Sequence, residues 1–144
     1  MVQKLKNTQS AFKQEFPNME TKYIVADFDS YPEKDPELYE RIKTQLAGLD
    51  VGILINNVGC SYPSALFFHE LEDQDETLFD RMIRLNVTAA THMTRIVLPE
   101  MVAKRRGAII NISSAAGRIP IGNPLYAEYS ASKAYVVRVV SLFA

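Results

Sequence analysis

Leu5, Phe12 and Phe16 recur at helical spacing among Lys, Gln and Asn, so the pattern predicts an amphipathic helix from Val2 to Phe16, ended by Pro17-Asn18. Tyr23 to Ala26 is a short apolar run closed by Asp27 and reads as a strand; Ser30-Tyr31-Pro32 and Asp35-Pro36 then carry turn chemistry. A second helix starts at Asp35 or Pro36 and runs to about Leu46, with Gly48 as its stop. Val51 to Ile55 is continuously apolar, as expected of a strand buried on both faces. Leu78, Met82, Leu85, Ala89, Met93, Ile96, Val97 and Met101 trace one stripe, which predicts a long helix from about Asp75 to Lys104. Gly107 is read as its breaker, and Ala108 to Ile112 as another buried strand. A loop with Gly117, Pro120, Gly122 and Pro124 leads to a last helix from about Tyr126, still running at Ala144. Strands alternating with helices imply parallel crossovers and an open α/β sheet.

Composition changes this picture little. The chain of 144 residues fits one domain, and 47% hydrophobic with 23% charged residues is the balance of a globular protein. A net charge of -1, without a basic stripe interleaved with aromatics, gives no footprint for nucleic acid. Cys60 is the single cysteine, which excludes an intrachain disulfide framework and reads as a small packing residue. His69 and His92 are isolated, so no metal site is expected. No apolar run is long enough to span a membrane, and no signal peptide pattern follows Met1.

Tyr129 and Lys133 stand four apart in the last predicted helix, so both side chains leave the same face one turn apart. An ammonium beside a phenol favours the phenolate, which makes the pair a candidate acid/base device; the plainer reading is a solvated helix face. Ser113 and Ser114 follow a buried strand, at the edge where open α/β sheets bind ligands, yet serines in such turns also satisfy backbone groups. Asn86 falls on the apolar stripe between Met82 and Ala89, where a polar side chain needs a buried partner. It either ties two elements together or holds a water in a proton path. Asn56-Asn57-Val58-Gly59 reads on its own as a polar turn.

Taken in order, Asn56-Asn57-Val58-Gly59, Asn86 within a helix, Ile112-Ser113-Ser114 and Tyr129-Ser130-Ala131-Ser132-Lys133 resemble the signature of the short-chain dehydrogenase/reductase family, from about Tyr23 to the last residue. Leu46 to Gly59 and Leu98-Pro99-Glu100-Met101 resemble the branch of 17-beta-hydroxysteroid dehydrogenases and very-long-chain 3-oxoacyl-CoA reductases. The resemblance implies that Tyr129 exchanges a proton with the carbonyl or hydroxyl oxygen and that Ser114 hydrogen-bonds this oxygen. By the same carry-over Lys133 eases proton loss from Tyr129 and holds the nicotinamide ribose, and Asn86 organises a water linked to Lys133. Asp27 would lie near the adenine and Asn56 near the adenosine ribose. Ser114 is preferred to Ser113 because it stands three residues before Gly117, as the family serine often does before its glycine. The spacing from Ser114 to Tyr129 is longer than usual, with the excess around Ile121 to Leu125, where a loop absorbs it.

The resemblance further implies a partial Rossmann-type, doubly wound parallel sheet over residues 1–144 that lacks the first two strands and the C-terminal substrate segment. The strands at Tyr23, Val51 and Ala108 would be the third, fourth and fifth, and the strand from Val51 would expose an edge that the first strand normally covers. The glycines at 48, 52, 59, 107, 117 and 122 form no glycine-rich turn for a pyrophosphate. As an activity, the resemblance implies an NADP-dependent reductase of a lipid-like carbonyl, a 3-oxoacyl-CoA or a 17-ketosteroid, with no metal. It likewise implies a homodimer and an endoplasmic reticulum location for the parent enzyme. A non-catalytic remnant or an interaction module stays open for this segment by itself.

Overall fold

A computed structural model describes residues 2–73, 77–119 and 124–140, which form two compact units, Met1–Ala47 and Gly48–Ala144. In the first, helix α1 spans Val2–Glu15 and α2 spans Leu38–Leu46. Helix α1 buries none of its residues, and Phe12 and Phe16 stay exposed. By contrast α2 turns Leu38, Tyr39 and Ile42 inward, one face of a helix at i, i+1 and i+4. Around Tyr39 the rings of Phe28 and Tyr31 pack at centroid distances of 6.0 and 4.8 Å. Asp35 closes the entry to α2 with two hydrogen bonds from the Arg41 guanidinium, a fork that matches both carboxylate oxygens. Gly48 follows at φ +79, the left-handed backbone that glycine takes without cost after a helix. Tyr23 to Ala26, expected as a strand, has no ladder: it is apolar enough, but a strand also needs a paired neighbour, and none pairs with it among the described residues.

The second unit is a crossover of the β-α-β kind. Strand β1, Ile53–Asn56, pairs in parallel with β2, Ala108–Asn111, in the register Ile53 to Ala108 through Asn56 to Asn111. Between them run α3, Thr77–Met82, a π turn over Ile83–Thr88, and α4, Ala89–Lys104; α5, Ala127–Val140, follows β2. The expected start of the long helix at Asp75 lies outside the described residues. Helix α4 ends differently from expectation. Arg105 itself takes the left-handed conformation at φ 48, with Arg105 N–H bonded to Val102 C=O and Arg106 N–H to Met101 C=O, a Schellman closure. Gly107 serves space: a Cβ there would lie 2.5 Å from Met101 Cγ.

Alternate strand residues part to opposite faces. Leu54, Asn56, Ile109 and Asn111 face the side where α4 and α5 pack, and Asn111 Nδ2 donates to Val136 C=O of α5 at 3.1 Å. Ile53, Ile55, Ile110 and Ile112 are exposed, Ile53 at 62% and Ile55 at 58%. The expectation of strands buried on both faces therefore holds for one face only, because the described helices of this unit cover one side of the ribbon. Among the described residues, no helix is long and apolar enough to cross a membrane.

Candidate active site

Every group of interest in the second unit collects where β1 and β2 end. After β2 the chain places Ser113 and Ser114 one behind the other, and the alternation of an extended backbone separates their duties. Ser113 Oγ donates to the carbonyl of Lys133 at 2.9 Å, so this serine fixes α5. Ser114 caps the short turn Ala115–Gly117, its Oγ accepting from Ala116 N–H at 3.2 Å, and it stays half-buried. That turn rests directly on α5: a Cβ on Gly117 would come within 2.6 Å of the Lys133 carbonyl carbon. The Gly117 position thus sets how near the strand-end serines lie to the helix that carries Tyr129.

On α5 the helical spacing of Tyr129 and Lys133 works out in space. Lys133 Nζ stands 5.9 Å from the centre of the Tyr129 ring and donates to the carbonyl of Ile112 at 3.0 Å. Lys133 is 7% exposed, so its ammonium is held in a largely water-excluded position by the end of β2. An ammonium carries three donors and this bond engages one, which leaves hydrogen-bonding capacity for a ligand. The Tyr129 ring is half-buried, with Tyr126 edge-on at 6.4 Å, and is not sealed in a core. Tyr126 in turn stacks on Tyr62 at 5.5 Å, and Tyr62 Oη accepts from Glu128 N–H at 3.1 Å, anchoring the first turn of α5.

Asn86 sits in the π turn, whose wider winding resets the side-chain direction along the helix. It is 2% exposed and bonded through both amide atoms: Oδ1 accepts from Cys60 N–H at 2.8 Å, while Nδ2 donates to Cys60 C=O at 2.9 Å and to Ser132 Oγ at 2.9 Å. Its side chain therefore ties the loop after β1 to α5. Asn56 is also tied inward, its Nδ2 donating to Thr94 Oγ1 at 3.2 Å and to Asn111 Oδ1 at 2.8 Å. Asp27 belongs to the first unit, where its Oδ1 accepts from Asp29 N–H at 3.2 Å and caps a short turn.

The structure thus brings Asn86, Tyr129 and Lys133 into one bonded neighbourhood, with Ser114 at the adjoining strand end. Sequence reasoning passed over Ser132, the part played by Cys60 through its backbone, and the aromatic pair Tyr62 and Tyr126. Tyr126 was signalled by its spacing of three from Tyr129; Tyr62 carried no such signal. Part of the loop proposed to absorb extra residues, at 121–123, lies outside the described residues. Among the described residues, no three His, Cys, Asp or Glu side chains gather as a metal-ligand set.

A parallel β-α-β crossover, with a Tyr and Lys one turn apart over the strand ends, places the protein in the open α/β class. The family model for short-chain dehydrogenases matches residues 1–144, and the chain belongs to that family. It is 44% identical over 135 residues to a very-long-chain 3-oxoacyl-CoA reductase-like protein of Arabidopsis thaliana, covering 94% of this chain and 41% of that one. The very-long-chain 3-oxoacyl-CoA reductase of Rattus norvegicus is 44% identical over 133 residues, covering 92% of this chain and 40% of its own. A solved short-chain dehydrogenase from Sphingobium yanoikuyae in complex with NADPH superposes with a TM-score of 0.76 at 26% identity, over 95% of this chain and 49% of its own. The chain thus spans about two-fifths of those curated relatives and about half of the solved one.

Proposed function

We propose that this chain carries the proton-transfer part of an NADPH-dependent reductase that converts the ketone of a very-long-chain 3-oxoacyl-CoA to a hydroxyl. The observation that supports it most is the Lys133 ammonium beside the Tyr129 ring, held by the carbonyl at the end of β2. In this reading the Tyr129 phenol gives its proton to the substrate oxygen as negative charge develops there. The Ser114 hydroxyl turns from its cap and donates to the same oxygen, lowering the cost of that charge. Lys133 offers its remaining N–H groups to the nicotinamide ribose and stabilises the phenolate left on Tyr129. The Asn86 side chain keeps the loop after β1 in place, and a water organised at this residue relays a proton to Lys133. The cofactor, when bound, supplies the hydride.

The residues present suit the nicotinamide end of such a cofactor, since a nearly buried ammonium with unused donors faces the acid/base tyrosine. Asp27 is assigned to the adenine side and Asn56 to the adenosine ribose; with Asn56 Nδ2 engaged inside, Oδ1 is the atom left for a ribose hydroxyl. The relatives' printed names support the acyl-CoA substrate, and the NADPH complex of the solved neighbour supports the cofactor. A homodimer and an endoplasmic reticulum location complete the reading.

The test is direct. Purified chain titrated with NADPH should quench or shift the nicotinamide fluorescence with saturation, and should oxidise NADPH when a 3-oxoacyl-CoA is added. Absence of both would reject the reading for this chain and leave a non-catalytic remnant.

A further inference from the structure

Ser132 lies between the two residues assigned to proton transfer, on the same turn of α5, and is 3% exposed. Its Oγ donates to the Tyr129 carbonyl at 2.8 Å and accepts from Asn86 Nδ2 at 2.9 Å. A serine bonding back to its own helix gains little over alanine, which is the better helix former. What it adds is the link across to Asn86, and through Asn86 to both backbone polar groups of Cys60. Next to Cys60, the backbone of Gly59 lies against the same groups: a Cβ there would stand 2.7 Å from Asn86 Oδ1 and 3.3 Å from Lys133 Nζ. The Ser132 and Asn86 bridge therefore fixes the gap between the loop after β1 and α5, and Lys133 Nζ sits in that gap.

We propose that Ser132 is a positioning residue for the proton-transfer pair. Its hydroxyl clamps α5 to the Asn86 and Cys60 loop, and so confines the Lys133 ammonium between Gly59 and the Ile112 carbonyl, beside Tyr129. The proposal rests on the reductase reading above. Without the hydroxyl, one Asn86 N–H loses its partner in a buried site, the loop can recede, and the ammonium gains room to leave the ring. Ser132 does not reach out to the acyl-CoA, so the cost falls on the chemical step and on NADPH, whose ribose Lys133 holds, and not on acyl-CoA affinity.

Three variants of the full chain test it: Ser132→Ala, Ser132→Thr and, should the alanine form not fold, Ser132→Cys, which keeps the shape but bonds weakly. In Ser132→Ala, kcat should fall about tenfold to a hundredfold with KM for acyl-CoA within about twofold. Ser132→Thr keeps a hydroxyl and should recover most of kcat. An unchanged kcat in the alanine and cysteine forms, or an equal loss in the threonine form, overturns the proposal. If wild-type chain shows no turnover, the reductase reading fails by itself, and the clamp is then read from hydrogen exchange at the Cys60 amide. Faster exchange in Ser132→Ala with recovery in Ser132→Thr supports the clamp; unchanged protection overturns it.

Discussion

Between Met1 and Ala47 the buried side chains are Leu38, Tyr39 and Ile42, whereas between Gly48 and Ala144 the apolar core is joined by Asn86, Thr94, Glu128, Ser130, Ser132 and Lys133. A buried polar group costs stability unless bonded, so its presence marks a place where geometry is held for a purpose or where a tie is needed. For Asn86, Ser132 and Lys133 the partners converge on the strand ends and on the turn of α5 that bears Tyr129. In the first unit, the buried side chains act through packing. The two should therefore respond differently to substitution: the second through function as well as stability, the first through stability with little else.

The largest expected effect is Tyr129→Phe, which keeps the ring and its edge contact with Tyr126 but removes the phenol. On the reductase reading, kcat should fall by about 10²–10⁴-fold, the scale of a lost general acid, while NADPH affinity stays nearly unchanged. Steady-state kinetics with a parallel binding titration decide it, and unchanged turnover would remove Tyr129 from its role.

Smaller, and confined to the first unit, is a response to alkaline pH. Burial, reinforced by the nearby Tyr31, pushes the Tyr39 phenol up from 10.0 to about 12. A tyrosine is neutral below its pKa, so the raised value means that the fold favours the neutral form while the unfolded chain loses its proton first. The contribution is complete below pH 10 and is lost as pH rises towards 12, about 2–3 kcal/mol in all. Urea unfolding at pH 9 and pH 11.5 should show this loss, and Tyr39→Phe should reduce it. An equal loss in that variant would assign the alkaline response to other tyrosines.

The same contrast explains what could be read from the residues alone. Tyr129 and Lys133 were legible because helical periodicity is local, and Asn86 because a polar residue on an apolar stripe asks for a partner. That partner was not legible: Cys60 lies 26 residues away and Ser132 46, and such pairings are fixed only when β1, the π turn and α5 meet. The helices and the strands from Ile53 and Ala108 followed from pattern, with ends within a few residues wherever those ends are described; the last helix's expected run to Ala144 lies beyond the described residues. Tyr23 to Ala26 has strand composition, but pairing is a property of two segments. The bare face of Ile53 and Ile55 escaped for a related reason, since an apolar run states that cover is wanted and not that it is supplied. The π turn and the left-handed Arg105 left no sequence signal, whereas Gly107 drew attention for the wrong duty.

The smallest expected effect tests the plainest expectation, the apolar stripe of α1. Phe12 is 45% exposed and Phe16 46%, their rings 6.5 Å apart, and no residue of α1 is buried. Apolar area that remains in water contributes nothing to folding, so the stripe should stabilise only through the half-buried Leu5 and this half-wet pair. Phe12→Gln should then shift stability by less than about 1 kcal/mol, within the range of surface substitutions. Thermal melts followed by circular dichroism measure it. A loss as large as that of a buried phenylalanine, about 3–5 kcal/mol, would mean that the stripe is covered in solution and that the first unit also buries its surface against something.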